Sequence, residues 1–479
     1  MIRPPYLFAG ALATGLASAT AARFSLVPAV LALGLAALWP RAALAVALTL
    51  VGWWWGSERL QALDRSVLAP RIGTAGDALV DVSEPPRRGR FEVRVRAVAV
   101  RWSGARIHEP VLVLLPGRRA PPQGARLRIL GTLRAPGDFE RTWLRRHGVH
   151  VALRASAWRV VRVRGGPADR LHAWLARAST PGLAGERRAV IEGVVLGEDG
   201  DLSDTLRQRF RASGLYHLLA VSGGNVVVVA GGTVAAALLL GVSRLVAEVA
   251  ALGAIAAYVL AVGPQPSVIR AGVAGGLASL AWLSGRQRDR WYALLVAAIA
   301  LFAWNPWNVL DPGFQLSFAA VVSIFVLAPR FRRALEGYPV PRPVADCVAI
   351  SAACGLCTAP VAWLHFHAVP VLTVPANAAA APVVVPMLGL ALLAAILPPL
   401  GPALAQANGW CASYLAGCAR LFGGLPGAQA RSPAAVAALG SGVLLAAAYA
   451  WQRGQRAQAG LPPHRQRPAE DRPGSVAPP

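Results

Sequence analysis

The chain has 479 residues, of which 55% are hydrophobic and only 15% are charged, against about 25% charged in soluble domains. Its 48 basic residues are all arginine and face 23 acids, a net charge of +25. That balance excludes an ordinary soluble domain and calls for two partners: a lipid bilayer, and a polyanion that is either nucleic acid or anionic lipid.

Three apolar runs open the chain, at 7–22, 26–39 and 42–55, with only Arg23 and Arg41 between them. A cleavable signal has one such run, so residues 1–57 read as membrane helices. Residues 58–181 differ. Between Arg59 and Arg177 there are 24 arginines and nine acids, and long apolar runs vanish. Period-two alternation recurs at 91–98, 111–115, 126–130, 150–154 and 158–164, which predicts a small basic β-barrel of about five strands, OB-like in type. Residues 182–213 form a linker whose stretch 186–213 is amphipathic and suited to lie on a bilayer surface.

From 214 to 452 the chain is apolar again. Spans are expected at 215–240, 245–262, 268–284, 291–304, 313–328, 344–366, 371–397, 403–424 and 434–452, the run at 291–304 being short enough to be re-entrant. With the first three this gives a polytopic α-helical membrane protein of about twelve spans, the β domain inserted after the third. Arginine-rich loops at 285–290 and 330–333 alternate with loops poor in positive charge at 263–267 and 305–311. The positive-inside rule then puts both termini in the cytoplasm and the β domain outside. The tail 453–479, rich in Pro, Gln and Arg, is expected to be disordered. The five cysteines lie in the apolar C-terminal half and read as small buried hydrophobes, with no metal site and no cofactor.

Polar residues inside apolar runs are costly and mark interior faces or aqueous paths. The first group is Gly214-Leu-Tyr-His217-Leu-Leu-Ala-Val-Ser222-Gly-Gly-Asn225. His217, Ser222 and Asn225 suit one side of a helix that breaks or packs closely at the glycine pair. The second is Pro266-Ser267-Val-Ile-Arg270-Ala271, where Arg270 either lines an anion path, pairs with an acid or snorkels to the surface. The third runs from Asn305 through a turn at Asp311-Pro312 to Gly313-Phe-Gln315-Leu-Ser317-Phe318. A Pro-rich stretch follows from Pro360 to Pro382 and contains Asn377.

These four segments, in this order and spacing, resemble the competence region of the ComEC/Rec2 family. Pro136-Gly-Asp-Phe139, Trp143-Leu144 and His147-Gly148 resemble that family's external domain, so the likeness extends over about residues 1–450. It implies inward transport of single-stranded DNA across a bacterial cytoplasmic membrane during natural transformation. His217, Ser222, Asn225, Ser267, Arg270, Asp311, Gln315, Ser317 and Asn377 would line the polar path. Arg94, Arg96, Arg101, Trp102, Arg141, Trp143, Arg145 and Arg146 would contact DNA outside. A separate DNA receptor, a cytoplasmic helicase or ATPase and a separate nuclease are the partners implied, with self-association left open. Two departures matter. Many members have a His where Asn225 stands, and Asn cannot relay protons near neutral pH. Many also end in a metallo-β-lactamase-like domain with a His-x-His-x-Asp-His cluster. Here His365-Phe-His367 lacks the Asp-His and the chain ends early, so a short form without catalytic or metal site is expected. A permease or flippase for another anion, a membrane scaffold, and an intramembrane enzyme using Ser222 with His217 are the competing readings.

Overall fold

The computed structural model describes residues 4–36, 40–88, 92–117, 119–163, 165–221, 223–263, 265–285, 289–438 and 441–442. Ser222, twelve of the nineteen residues of the span expected at 434–452, and the tail 453–479 lie outside the described residues.

The N-terminal layer is α1 (Pro4–Ser18), α2 (Leu26–Ala36) and α3 (Pro40–Asp64). Helices α1 and α3 touch backbone to backbone. A Cβ on Gly15 would stand 1.9 Å from the Thr49 carbonyl oxygen, and one on Gly52 2.6 Å from that of Leu12. Small residues at such crossings let helices approach where lipid provides no hydrophobic drive.

The β domain holds β1 (Ala75–Val82), β2 (Arg87–Arg88), β3 (Glu92–Trp102), β4 (Ala105–Pro116), β5 (Ala125–Arg134) and β6 (Ala152–Val163), with α4 (Asp138–Arg146) between the last two. Strand β1 pairs antiparallel with both β3 and β5. Strand β3 pairs with β4, β4 runs parallel to β6 over three residues, and β6 pairs with β5. The five long strands therefore close on themselves. The β3–β4 hairpin turns through Ser103 and Gly104, at φ 45° and 88°, the positive values that a type I′ turn needs. Alternate residues such as Val80, Val95, Val113, Leu127 and Leu153 fill the interior. Buried Glu109 fixes this barrel to the end of α3 by accepting the Val67 and Leu68 backbone N–H groups at 2.9 and 3.0 Å.

Four helices follow the barrel: α5 (Pro167–Ala178), α6 (Gly185–Leu196), α7 (Asp204–Ser213) and the single turn α8 (Tyr216–Leu219). Helix α5 falls in the stretch read as β domain. Helix α7 is amphipathic, burying Leu206, Phe210 and Ser213. Helix α6 corrects the expectation of a surface helix: every residue from Ala189 to Leu196 is buried, because α6 packs on α16 and α17 in the main core.

The remaining elements are α9 (Gly223–Leu239), α10 (Arg244–Val262), α11 (Pro266–Leu283), α12 (Arg290–Trp304), α13 (Pro312–Val326), α14 (Ala328–Ala334), α15 (Arg342–Phe366), α16 (Thr373–Ile396) and α17 (Gly401–Gly424), with β7 (Val369–Pro370) paired to β8 (Gln429–Ala430). Among the described residues α10, α11, α15 and α16 are long and apolar enough to cross a membrane. A fifth span results if α13 and α14, bent by 45°, count as one. The expected count of twelve is not reached by this measure. Helices α9 and α12 are apolar but only 17 and 15 residues long, about 26 and 22 Å at 1.5 Å per residue, against a hydrocarbon thickness of about 30 Å. Turns at Gly241 and at Asn305-Pro306 cut them short.

His172 of α5 ties this layer to the end of α10. Its Nδ1 lies 2.7 Å from the Ala261 carbonyl and its Nε2 2.8 Å from the Glu198 carboxylate. Both partners are acceptors, and a neutral imidazole donates from one nitrogen only. Burial opposes the charge; the bonds to Glu198 and Ala261 outweigh it and raise the pKa above 6.5. The clamp is thus fully present below pH 6.5 and lost as pH rises through the raised value. The melting temperature of the detergent-solubilised protein should fall between pH 6 and pH 8, and His172→Gln should flatten that dependence. Parallel pH curves for the two proteins would remove His172 from the clamp.

Candidate functional site

Five helices form a closed circuit in which each packs on the next: α9, α11, α13, α15, α16 and back to α9. Local sequence fixes where each begins. Pro266 opens α11 and places Ser267 and Arg270 within its first five residues. Asp311 caps α13 by accepting the Phe314 N–H at 3.0 Å, with Pro312 following. Pro is favoured at this position because its missing N–H would have had no helical partner.

Arg270 is the residue on which the circuit converges. From α11 its guanidinium donates to the Ser317 carbonyl on α13 at 2.5 Å. A Cβ on Gly223, the first residue of α9, would stand 3.5 Å from Arg270 Nη2. Cys354 of α15 lies beside it. The side chain is half-buried and has no carboxylate partner among the described residues. Nearby, Gln315 donates from Nε2 to the Val309 carbonyl at 2.9 Å, which turns its Oε1 toward His365 Nε2 at 2.8 Å. Asn377 of α16 donates to Ser351 Oγ on α15 at 3.2 Å, and its own Oδ1 is buried without a partner. Ser267 donates to the Val221 carbonyl at 2.7 Å and ties α11 to the turn before α9.

The structure thus brings Ser267, Arg270, Gln315, Asn377 and the Ser317 backbone to one circuit. It separates the rest. His217 and Asn225 do not share a helix, because Ala220 is extended and divides α8 from α9. His217 bonds its own Gly214 carbonyl at 2.8 Å and stays exposed. Asn225 is buried and donates to the Val194 carbonyl at 2.7 Å and to the Tyr258 hydroxyl at 3.2 Å, joining α6, α9 and α10. These bonds hold it between three helices, away from the Arg270 side chain's own contacts. Asp311 faces the barrel. His365 was read only against a metal motif. Its bond to Gln315 needed the α13–α15 contact to be seen, since fifty residues separate the two. Among the described residues no three His, Cys, Asp or Glu side chains are grouped to hold a metal ion.

The barrel reaches this circuit through α4. Asn305 donates to the Arg146 carbonyl at 2.9 Å, and the Arg146 guanidinium lies 5.3 Å from the Trp307 ring centre. A small cavity of about 20 Å³ between them is lined by Trp143, His147, Asn308 and Asp311. Burial holds the His147 imidazole below its ordinary range, partly offset by its bond to the Trp143 carbonyl. One of the expected DNA contacts, Trp102, is corrected here. Trp102 is 3% exposed and belongs to the barrel core, so its ring cannot stack on a base. Arg94 pairs with Glu92 and Glu140, Arg96 with Glu84, and Arg141 with Asp138. Arg96 also covers Trp143 at 5.2 Å. Arg101, Arg145 and part of Trp143 remain exposed.

A model of the family described as Competence protein matches residues 194–456, which include every helix of the circuit. The chain belongs to the Competence protein family. ComE operon protein 3 of Bacillus subtilis (strain 168) is 26% identical over 195 residues, an alignment that covers 41% of this chain and 24% of that protein. This chain therefore matches about a quarter of that relative's length. No solved structure matches. The barrel precedes the segment matched by the Competence family, and the Arg270 circuit lies wholly within it.

The Gly214 motif of the Competence region has a steric reason. Gly214 has φ 78°, and a Cβ there would stand 2.3 Å from Thr373 Oγ1 at the start of α16. Gly214→Ala should lower the melting temperature by several degrees, the equivalent of about 1–3 kcal/mol for overpacking, and Thr373→Ala in that background should recover part of the loss. Equal melting of Gly214→Ala and the unaltered protein would show that the contact between the end of α7 and the start of α16 yields without cost.

Proposed function

We propose that this chain conducts single-stranded DNA through the cytoplasmic membrane during natural transformation, as a conduit and not as a catalyst. The observation that carries the reading is Arg270. A cation set among apolar helices ordinarily has a counter-ion, and half-buried Arg270 has a carbonyl and no carboxylate among the described residues, within the segment that the Competence family matches. A passing phosphodiester would be the missing anion. Its two free oxygens suit the fork of a guanidinium, while Ser267, Gln315, His365 and Asn377 offer neutral contacts that do not trap the strand. In this reading the barrel is OB-like, lies outside and receives DNA. About twelve spans place both termini in the cytoplasm. The chain contains no lysine and hence no Gly-x-x-x-x-Gly-Lys loop, so a separate helicase or ATPase pulls the strand. A separate receptor and nuclease supply and trim it.

Deletion of the gene should abolish transformation, and the intact gene should restore it. Arg270→Ala should transform about 10- to 100-fold less well at unchanged membrane abundance, the equivalent of a charge-assisted hydrogen bond of about 1.5–3 kcal/mol. Full transformation by Arg270→Ala would reduce Arg270 to a packing residue. Orientation has its own test. An impermeant maleimide should label Ala120→Cys on intact cells and Glu336→Cys only after permeabilisation, and the opposite pattern would invert the topology.

A further inference from the structure

The barrel carries a second basic surface that the motifs do not mark. Strands β5 and β6 set Arg128 directly opposite Arg159, and Arg126 directly opposite Arg162. Like charges so placed repel. Only one side of each pair is relieved. Asp77 on β1 holds Arg128, and Asp81 holds Arg126 in a two-point bond at 2.6 Å. Arg159 and Arg162 are exposed, with no carboxylate among the described residues. Farther along the same face, Arg154 stands opposite Thr132 and diagonal to Arg134. Both arginines are exposed and equally without an acid among the described residues. Between these two ends Leu130, opposite Ala157, is 55% exposed.

Four uncompensated arginines on one sheet face are a cost to the barrel alone and a gain once a polyanion lies on them. From Arg126 to Arg134 the face runs about 26 Å at 3.3 Å per residue, a length suited to several nucleotides. Exposed guanidinium planes stack on bases, and Leu130 adds apolar contact. The direction of the stripe favours a strand over a lipid surface. Its Arg134 end leads through residues 135–137 into α4, which rests on the turn that caps α13 of the Arg270 circuit. We propose that single-stranded DNA is received along the outer face of β5 and β6, on Arg134, Arg154, Arg159 and Arg162, and is led by α4 to the circuit. This assignment rests on the DNA-conduit reading above and replaces the α4 arginines as the receiving surface.

The test uses the full chain in phosphatidylcholine nanodiscs, which present no anionic lipid. The probe is a fluorescein-labelled single strand of about 20 nucleotides, longer than the roughly 4–16 that one such barrel covers, followed by anisotropy across a salt series. The quadruple variant Arg134→Gln, Arg154→Gln, Arg159→Gln, Arg162→Gln should bind at least tenfold more weakly. Its slope of log affinity against log salt should be shallower by up to about 3, at about 0.7 per phosphate released. The matching quadruple Lys variant should keep most of the affinity and reports on folding. Arg94→Gln with Arg141→Gln should bind as the unaltered protein does. Unchanged binding by the quadruple Gln variant overturns the assignment and leaves the face to anionic headgroups, with DNA held elsewhere. Failure of the unaltered protein itself to bind the strand overturns DNA reception by the barrel altogether.

Discussion

The guanidinium of Arg270 sits where four helices meet and, among the described residues, is answered by one backbone carbonyl, that of Ser317. Arginine stays charged in such a setting, and an unpaired charge away from water is expensive. The surroundings are built to tolerate it. Gly223 keeps the facing surface of α9 free of side chain. Pro266 and Asp311 fix the starts of α11 and α13 so that Arg270 and the Ser317 carbonyl come level. The Gln315–His365 bond joins α13 to α15 near by.

The second constraint is the joint between barrel and helices. It is made of polar and cation–π contacts: Asn305 to Arg146, Arg146 on Trp307, and Arg59 both donating to the Trp304 carbonyl at 2.7 Å and lying over its ring. These contacts converge on the segment from Trp304 to Asp311, whose last residue caps α13. The barrel is thereby seated on the helix whose backbone holds Arg270. The β5–β6 face stands clear of the joint and remains open to a ligand.

Much of this architecture was legible in the sequence. The alternation in 91–98 and 126–130 identified strands, because a closed barrel buries every second residue and the period survives in composition. The helices α10, α15 and α16 were found nearly to their ends, since long apolar runs bounded by Pro, Gly and Arg have few other solutions. Arg270 stood out because a charge in such a run is rare. Other readings failed for identifiable reasons. Residues 186–196 look amphipathic only if their arginines are weighed with their valines, whereas the folded chain buries the whole second half of α6 under α16 and α17. Trp102 lies in an Arg-rich strand like a stacking residue, yet the pleat turns it inward. Arg94, Arg96 and Arg141 look free in a chain of +25, but Glu84, Glu92, Asp138 and Glu140 pair with them.

By itself the sequence determined the membrane character, the β insert, the Competence motifs and the intramembrane arginine, because each follows from composition, period or local spacing. Only the tertiary structure decided which polar residues work together. It placed Asn225 between α6, α9 and α10, recruited His365 across fifty residues, and left Arg134, Arg154, Arg159 and Arg162 without acids among the described residues. The physical reason is that hydrogen bonds and ion pairs act over about 3 Å. Partners are therefore set by which faces the fold brings into contact, and neighbours in the chain seldom share such a face.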